Sequence, residues 1–324
     1  MGYRGGGAHK PAQPHRPSRL IDPHRAKRGA ASCQRNNRPR HDGAVSLRVG
    51  CAMWANKDWI GRALPASTPL AGLLRAYQQL FGAVEGNTTF YGLPRESTVA
   101  RWAAETGPSF RFLFKLPRSI SHDRRLRDAS ADVAGFCRRL SPLGDRLGPT
   151  SLQLPPSFGP EHLAVLEQFL VQLPKDWPWA VEVRHHDFFA GGSSEQALDA
   201  LLARCRVDRV ILDSRALFSR PPANEVEAAA HAAKPRLPVR PTATSTRPVV
   251  RFIGHVDTAI SAEHWGRWFP IVLRWLEQGL EPTLLFHTAD NLNAPLQAQR
   301  FQAELAGLGS HLITPAPPPV PGAQ

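Results

Sequence analysis

This sequence lacks long apolar runs and paired cysteines, and it has few acidic residues. The first two absences each exclude a class of protein. No apolar run approaches the ~20 residues that a bilayer span requires, so we expect no membrane association. The positive N-terminus lacks the apolar segment of a secretory signal, which favours a cytoplasmic protein. A disulfide scaffold and a zinc ribbon are excluded by four widely spaced cysteines without a C-x-x-C pair: Cys33, Cys51, Cys137 and Cys205.

Basic residues outnumber acidic residues by 40 to 27, and much of this excess lies in residues 1–44. This segment holds ten Lys and Arg residues against Asp22 and Asp42, and it is rich in Gly and Pro. Because it has little apolar surface to bury, we expect a disordered tail. It is interpreted as a solvated tail, as a nucleic-acid-binding arm, or as sequence upstream of a true start near Val45. Nucleic acid is therefore a predicted partner through this tail only.

Residues 45–307 repeat one pattern, a short β-branched or aromatic run followed by a loop and a stretch with helical apolar spacing. Eight units recur about every 34 residues, the size of a βα unit. The predicted strands lie at 46–51, 83–87, 110–116, 150–154, 179–184, 208–213, 249–254 and 283–287. The predicted helices lie at 70–81, 96–105, 131–140, 160–173, 194–205, 263–279 and 294–306. A Pro- and Ala-rich insert at 214–247, with at most a short helix, replaces the sixth helix.

This arrangement predicts an α/β fold, a single (β/α)8 TIM-like barrel. No G-x-G-x-x-G or Walker loop follows a predicted strand, which argues against a doubly wound nucleotide-binding fold. The Pro-rich residues 308–324 are predicted to form a second disordered tail. In such a barrel the functional site lies at the C-terminal ends of the strands, so the residues there are the candidates.

Polar side chains recur at these strand ends, although buried parallel strands are normally apolar. Strand alternation places Glu182 and Arg184 on one face, and Glu85 and Asn87 on one face. The side chains are interpreted either as a polar cavity or as buried ion pairs that seal the barrel end, and pairing is expected in both cases. The candidates are Trp54, Glu85, Asn87, Lys115, Gln153, Glu182, Arg184, Asp213, Arg251, His255, His287 and Asp290.

The leading hypothesis is an enzyme that acts on a small, polar, anionic substrate. Lys115, Arg184 and Arg251 would hold its negative group, because Arg forks match carboxylate and phosphate geometry. Glu85 and Glu182 are predicted to supply the general acid and base, with Lys115 as a third catalytic residue. Hydrolysis, isomerisation and lyase chemistry all fit these residues.

Two alternatives stay open at this point. One is a noncatalytic ligand-binding or nucleic-acid-binding protein that uses the basic tail and insert. The other is a divalent-metal isomerase or hydrolase, whose ligands would be Glu85, Glu182, Asp213 and His287. Three nearby cations disfavour it, so no cofactor and no metal ligand is assigned. The run His185-His186-Asp187 is interpreted as a loop or cap rather than as metal ligands, because adjacent strand residues point to opposite faces.

Several segments carry a family resemblance, above all VEGNTTFY (84–91), LQLPPSF (152–158) and AVEVRHHDFF (180–189). In order and spacing they resemble the motifs of the YecE-like family, a domain of unknown function. The resemblance spans about residues 49–306 and implies a TIM-like barrel without an assigned reaction. Gly86 and the HTADN segment depart from the family pattern, so His287 and Asp290 are the least secure members.

By this resemblance, the motif positions extend the candidate set. The matching positions are Trp54, Glu85, Asn87, Thr89, Phe90, Tyr91, Lys115, His122, Gln153, Pro155, Glu182, Arg184, His185, Asp213 and Arg251. Predicted substrate-binding residues among them are Trp54, Asn87, Tyr91, His122, Gln153, Arg184, Asp213 and Arg251.

Overall fold

The computed structural model describes residues 47–309, and Gly2 alone outside that range. The predicted tail 1–44, apart from Gly2, and residues 310–324 of the predicted C-terminal tail lie outside the described residues. All eight predicted strands are confirmed, and they pair in parallel in the order β3-β2-β1-β8-β7-β6-β5-β4. Their bounds are Arg48–Cys51 (β1), Ala83–Gly86 (β2), Arg111–Phe114 (β3), Thr150–Gln153 (β4), Trp179–Glu182 (β5), Asp208–Asp213 (β6), Val249–Ile253 (β7) and Thr283–His287 (β8).

The ring of strands closes loosely between β3 and β4. The Gly148 N–H donates to the Phe112 carbonyl, and the Leu116 N–H donates to the Ser151 carbonyl, both at 2.9 Å. Isolated parallel bridges join Phe112 to Leu147 and Lys115 to Ser151 in place of a continuous ladder. The sheet is therefore a nearly closed barrel with surrounding helices, which confirms the predicted TIM-like fold.

Helices follow the strands around the barrel, and the insert contributes one short helix as predicted. Within residues 47–309 they are Leu73–Tyr77 (α1), Glu96–Glu105 (α2), Ser130–Leu140 (α3), Leu163–Gln172 (α4), Ser193–Cys205 (α5), Glu225–Ala233 (α6), Thr258–Trp265 (α7), Phe269–Glu277 (α8) and Ala294–Leu308 (α9). None of them is long and apolar enough to span a bilayer.

The predicted single helix at 263–279 is wrong. Helix α7 ends at Trp265, a 3-10 turn covers Gly266–Trp268, and α8 starts at Phe269. Pro270 in the first turn of α8 has no N–H to donate, and its ring would clash with the carbonyl four residues earlier, at Gly266. A continuous helix through Pro270 is therefore disfavoured, and the chain restarts the helix at this point.

The barrel interior changes from apolar to polar along the strands. Outward-facing side chains pack against the helices in the main core. At the N-terminal end, the inward-facing layer is apolar and consists of Ala83, Leu113, Ala180, Val210, Val249 and Leu285. Two residues further along five of these strands, side chains on the same face are polar, because strand side chains alternate with a period of two. Those positions are Glu85, Lys115, Glu182, Arg251 and His287.

Candidate functional site at the barrel mouth

The polar layer forms one connected group at the C-terminal end of the barrel. Each of its members lies within the last three residues of a strand or within two residues after it, and the barrel geometry points them toward a common axis. We call this group the mouth cluster; it consists of Glu85, Lys115, Gln153, Glu182, Arg184, Arg251 and His287.

Arg251 occupies the centre of the mouth cluster and joins its two carboxylates. Its Nε lies 2.6 Å from Oε1 of Glu85, and its Nη2 donates to Oε2 of Glu85 at 3.1 Å. Its Nη1 donates to Oε2 of Glu182 at 3.0 Å. Because all three residues are at least 95% buried, each charge depends on the others for compensation.

The two carboxylates also bind other side chains. Arg184 donates from Nε and Nη2 to Oε1 of Glu182 at 2.9 and 2.8 Å, and its side chain is one-fifth exposed. Asn87 donates from Nδ2 to Oε2 of Glu85 at 2.8 Å and to the Ala52 carbonyl at 2.9 Å. Asn87 therefore positions Glu85 against the end of β1.

Lys115 makes the fewest hydrogen bonds of the cations in the mouth cluster. Its Nζ donates to Oε1 of Gln153 at 3.2 Å and lies 3.7 Å from Oε1 of Glu85. Lys115 is buried, with 6% of its surface exposed. A three-donor ammonium with one hydrogen bond and one longer ion contact retains capacity for a further partner.

The arginines keep both carboxylates of the cluster ionised. Burial acts to raise the pKa of Glu85, but the charges of Arg251, Lys115 and His287 outweigh it and lower that pKa well below its usual value. Burial also opposes ionisation of Glu182, while Arg251 and Arg184 lower its pKa to about 2. At neutral pH both groups are negative and are weak bases.

The amine and imidazole of the cluster shift toward their neutral forms. Burial and the charge of Arg251 lower the pKa of Lys115 to about 8, although Glu85 and Glu182 act in the opposite direction. Burial and Arg251 also lower the pKa of His287 well below its usual value. The pKa of Lys115 therefore lies close to neutral pH, where proton transfer is most efficient.

A residue that the sequence analysis missed, Lys234, adds a fourth cation to the mouth. It follows α6 in the insert 214–247 and is half-buried. Burial lowers its pKa, as does the charge of Arg251, while Glu85 and Glu182 raise it. Its charge therefore interacts electrostatically with members of the mouth cluster. The sequence offers one signal for it: lysine is rare here, with six residues among 40 basic ones.

Asp213 does not join the mouth cluster, contrary to the sequence-based assignment. Val210 and Leu212 face the barrel interior on β6, so Asp213 points outward. There Arg215 donates to both of its carboxylate oxygens at 2.9 and 2.7 Å, and Trp268 Nε1 donates to Oδ2 at 2.8 Å. Asp213 thus fixes the end of β6 to the α7–α8 turn.

Trp54 also lies apart from the mouth cluster. Its ring packs edge-on against Trp102 of α2 and Phe112 of β3, at centroid distances of 5.3 and 5.9 Å. Phe112 stacks on Trp102 on the outer face of the barrel, so Trp54 extends that outer aromatic core. This packing accounts for the aromatic residue at position 54.

Tyr91 and His122 lie at the rim rather than in the cluster. Tyr91 is 84% exposed and lines a groove of about 540 Å³ together with Arg118 and Asp132. His122 packs edge-on against Phe90 at 5.3 Å, and burial together with Arg118 and Arg184 lowers its pKa.

The predicted metal alternative finds little support in the geometry. Oε2 of Glu85 lies 3.5 Å from Nε2 of His287. Arg251, however, separates Glu182 from Glu85, and Asp213 faces outward. These four residues therefore do not fit one shared ion.

The His185-His186-Asp187 run is the group of possible ligands that residues 47–309 bring within 4.8 Å. His185 caps a 3-10 helix there, as predicted, by accepting from the Asp187 N–H. The reason given from the sequence was wrong, because the run follows β5 in a loop and the two rings stack at 4.5 Å.

Comparison with known proteins agrees with this architecture. The sequence is 40% identical to the UPF0759 protein YecE of Escherichia coli K12 over 249 residues, which cover 77% of this chain and 89% of that protein. Identity to the corresponding protein of Escherichia coli O157:H7 is 39% over the same length.

Solved structures with the same fold come from two other bacteria. A DUF72 family protein of Thermotoga maritima has a TM-score of 0.61 and 24% identity, covering 80% of this chain and 99% of that one. A DUF72 family protein of Enterococcus faecalis has a TM-score of 0.61 and 18% identity, covering 81% and 95%. The family described as a protein of unknown function, DUF72, matches residues 48–322. This chain therefore belongs to the DUF72 family, the family of YecE.

Proposed function

We propose that this protein is an enzyme that binds a small anionic substrate at the barrel mouth and transforms it by general acid and base chemistry. The charge balance around the mouth cluster carries the proposal. Four cations face two ionised carboxylates, which leaves an excess of two positive charges that an anion would neutralise. The cations are Lys115, Arg184, Lys234 and Arg251, and the carboxylates are Glu85 and Glu182.

The four cations divide into two groups by exposure. Arg251 is buried between Glu85 and Glu182, so its donors are largely used within the protein. Arg184 and Lys234 are the more accessible pair, because the Arg184 side chain is one-fifth exposed and Lys234 is half-buried. We assign the anionic group of the substrate to Arg184 and Lys234, because guanidinium and ammonium groups bind carboxylate and phosphate by charge-assisted hydrogen bonds.

Lys115 is the residue best suited to exchange a proton with the substrate. With a pKa of about 8, it holds its proton at pH 7 and releases it readily. Glu85, 3.7 Å from Nζ, stabilises the charged form of Lys115 and is its nearest carboxylate. Glu182 has a strongly lowered pKa, and in this assignment it supports the reaction by holding Arg184 and Arg251 in place.

Anion binding is tested first by thermal shift with inorganic phosphate and malonate as probes. We expect both probes to raise the melting temperature of the wild type. Arg184→Met and Lys234→Met should weaken probe binding about 10- to 100-fold, the loss expected for one charge-assisted hydrogen bond. Arg75→Met, at an exposed position on α1, is the matched control and should bind like the wild type. Equal binding by all three variants would contradict the proposal.

Turnover is tested second by mass spectrometry of a library of small phosphorylated and carboxylated compounds. The wild type and Arg75→Met should consume at least one compound that Lys115→Met leaves intact. Binding of anions without turnover of any library member would instead support the noncatalytic ligand-binding alternative. Consumption at the same rate by Lys115→Met would remove Lys115 from the catalytic assignment.

A further inference from the structure

Three buried polar atoms at the mouth cluster have no hydrogen-bond partner among the described residues. Nε of Arg251 faces Oε1 of Glu85 at 2.6 Å in the ion pair described above, and the other two are Oγ of Ser151 and Nε2 of His287, in residues that are 92% and 96% buried. Ser151 is the bridge partner of Lys115 across the β3–β4 seam, so the two side chains leave the sheet on the same face. Since buried polar groups are nearly always paired, this interior is built to receive polar atoms of a ligand beside Lys115.

The identity of the basic residue at this position matters for the chemistry. The chain uses lysine sparingly, in six of its 40 basic residues, and elsewhere relies on arginine for positive charge. Arginine stays protonated in proteins, whereas a buried lysine beside another cation loses its proton and becomes a nucleophile. Lys115 meets these conditions, because it is buried and Arg251 contributes to the lowering of its pKa.

We infer that Lys115 forms a Schiff base with a small aldehyde or ketone that carries a carboxylate or phosphate group. This inference rests on the proposed function, because Arg184 and Lys234 supply the recognition of the anionic group. The carbonyl carbon lies against Nζ of Lys115, deeper in the barrel than that group. The carbonyl oxygen then faces the unpaired Ser151 hydroxyl, which donates a hydrogen bond to it.

The covalent step balances without an oxidant or reductant. The neutral Nζ attacks the carbonyl carbon, a C–N bond forms, and the carbonyl electron pair moves to oxygen. The oxygen takes up the proton that the nitrogen releases, which gives a carbinolamine. The proton that the Lys115 ammonium released to solvent before the attack then returns to this hydroxyl, which leaves as water. The product is a protonated imine, so an ammonium and a carbonyl have become an iminium and one water. Arg251, Arg184, Glu85 and Glu182 are the charged groups that face this nitrogen.

The test is reductive trapping on the full-length protein at pH 7.5, with pyruvate in one arm and dihydroxyacetone phosphate in the other. Cyanoborohydride adds hydride to the imine carbon and makes the adduct permanent, and peptide mass spectrometry locates it. Exposed Lys57 and Lys175 are internal controls. The neutral fraction of an amine with a pKa of 8 exceeds that of an ordinary lysine on the order of 100-fold at this pH. We therefore expect labelling of Lys115 in at least one arm to exceed that of both controls at least tenfold.

Labelling of Lys115 at or below the level of Lys57 and Lys175 in both arms would overturn the inference. The proposed function would survive that result if phosphate and malonate still bind and a library compound is still consumed. Conversely, selective labelling that is unchanged in Arg184→Met and Lys234→Met would support the reactive amine while contradicting the assigned anion contacts. Lys115→Arg keeps the positive charge, and it should abolish the adduct while leaving the labelling of Lys57 unchanged.

Discussion

Replacing Glu182 with glutamine removes one buried negative charge from the centre of the barrel and leaves the side-chain volume unchanged. Glu182 accepts two hydrogen bonds from Arg184 and one from Arg251. Loss of one partner from a buried pair costs about 3–5 kcal/mol, because the other charge stays buried and uncompensated. A carboxyl pKa lowered from 4.5 to about 2 corresponds to roughly 3 kcal/mol in favour of the charged form. We therefore expect Glu182→Gln to lower the free energy of unfolding by about 3 kcal/mol.

The assay is equilibrium urea denaturation followed by tryptophan fluorescence at pH 7. Glu167→Gln is the matched control, because Glu167 accepts from Arg204 at 2.6 Å on the surface, where both side chains are about half exposed. That exposed pair should contribute only about 0–1 kcal/mol. A loss below 1 kcal/mol for Glu182→Gln, or the same loss in both variants, would refute the description of the mouth cluster as a set of mutually dependent buried charges.

Three further predictions address neighbouring features. Raising the pH from 7 to 10 should stabilise the wild type by up to about 3 kcal/mol relative to Lys115→Met in urea titrations, because between about 8 and 10.5 the unfolded chain still binds a proton that native Lys115 has released. Burial raises the pKa of Asp208 to about 7. The protonated group therefore stabilises the native state below its unfolded pKa by up to about 4 kcal/mol, and this contribution is lost as the pH rises through 7. Asp208→Asn should flatten this dependence, and an unchanged slope would contradict it. Gly86→Ala would place a Cβ 2.5 Å from the Phe114 ring and should cost about 1–3 kcal/mol in the same urea assay, whereas a neutral result would show that the ring moves aside freely.

The strands and the core of the mouth cluster were predictable because both follow from a period of two. Runs such as DRVILD and TLLFH are short, apolar and β-branched or aromatic, and their ends agree with the structure. The same period puts Glu85 above Ala83 and Arg251 above Val249 inside the barrel. Strand parity alone therefore predicts that the central charged side chains share the barrel interior.

The features that differ from expectation have physical causes. Strand parity, counted from the inward-facing Val210, puts Asp213 on the outer face of β6. Pro270 signalled the break between α7 and α8. The position of Lys234 could not be predicted in this way. It depends on the path of the insert 214–247, which has no regular spacing of apolar residues. Pairings across the axis, such as Arg251 with Glu182, likewise depend on side-chain reach rather than on register.

The most direct test of the account is a crystal structure of this protein grown with inorganic phosphate. The account predicts phosphate oxygens within hydrogen-bond distance of Arg184 and Lys234, with Nζ of Lys115 on the barrel side of the ion. Phosphate bound instead at the N-terminal end of the barrel, among Arg48, Arg111 and Arg247 near Glu281, would contradict it. A mouth without phosphate at concentrations that saturate the thermal shift would contradict it equally.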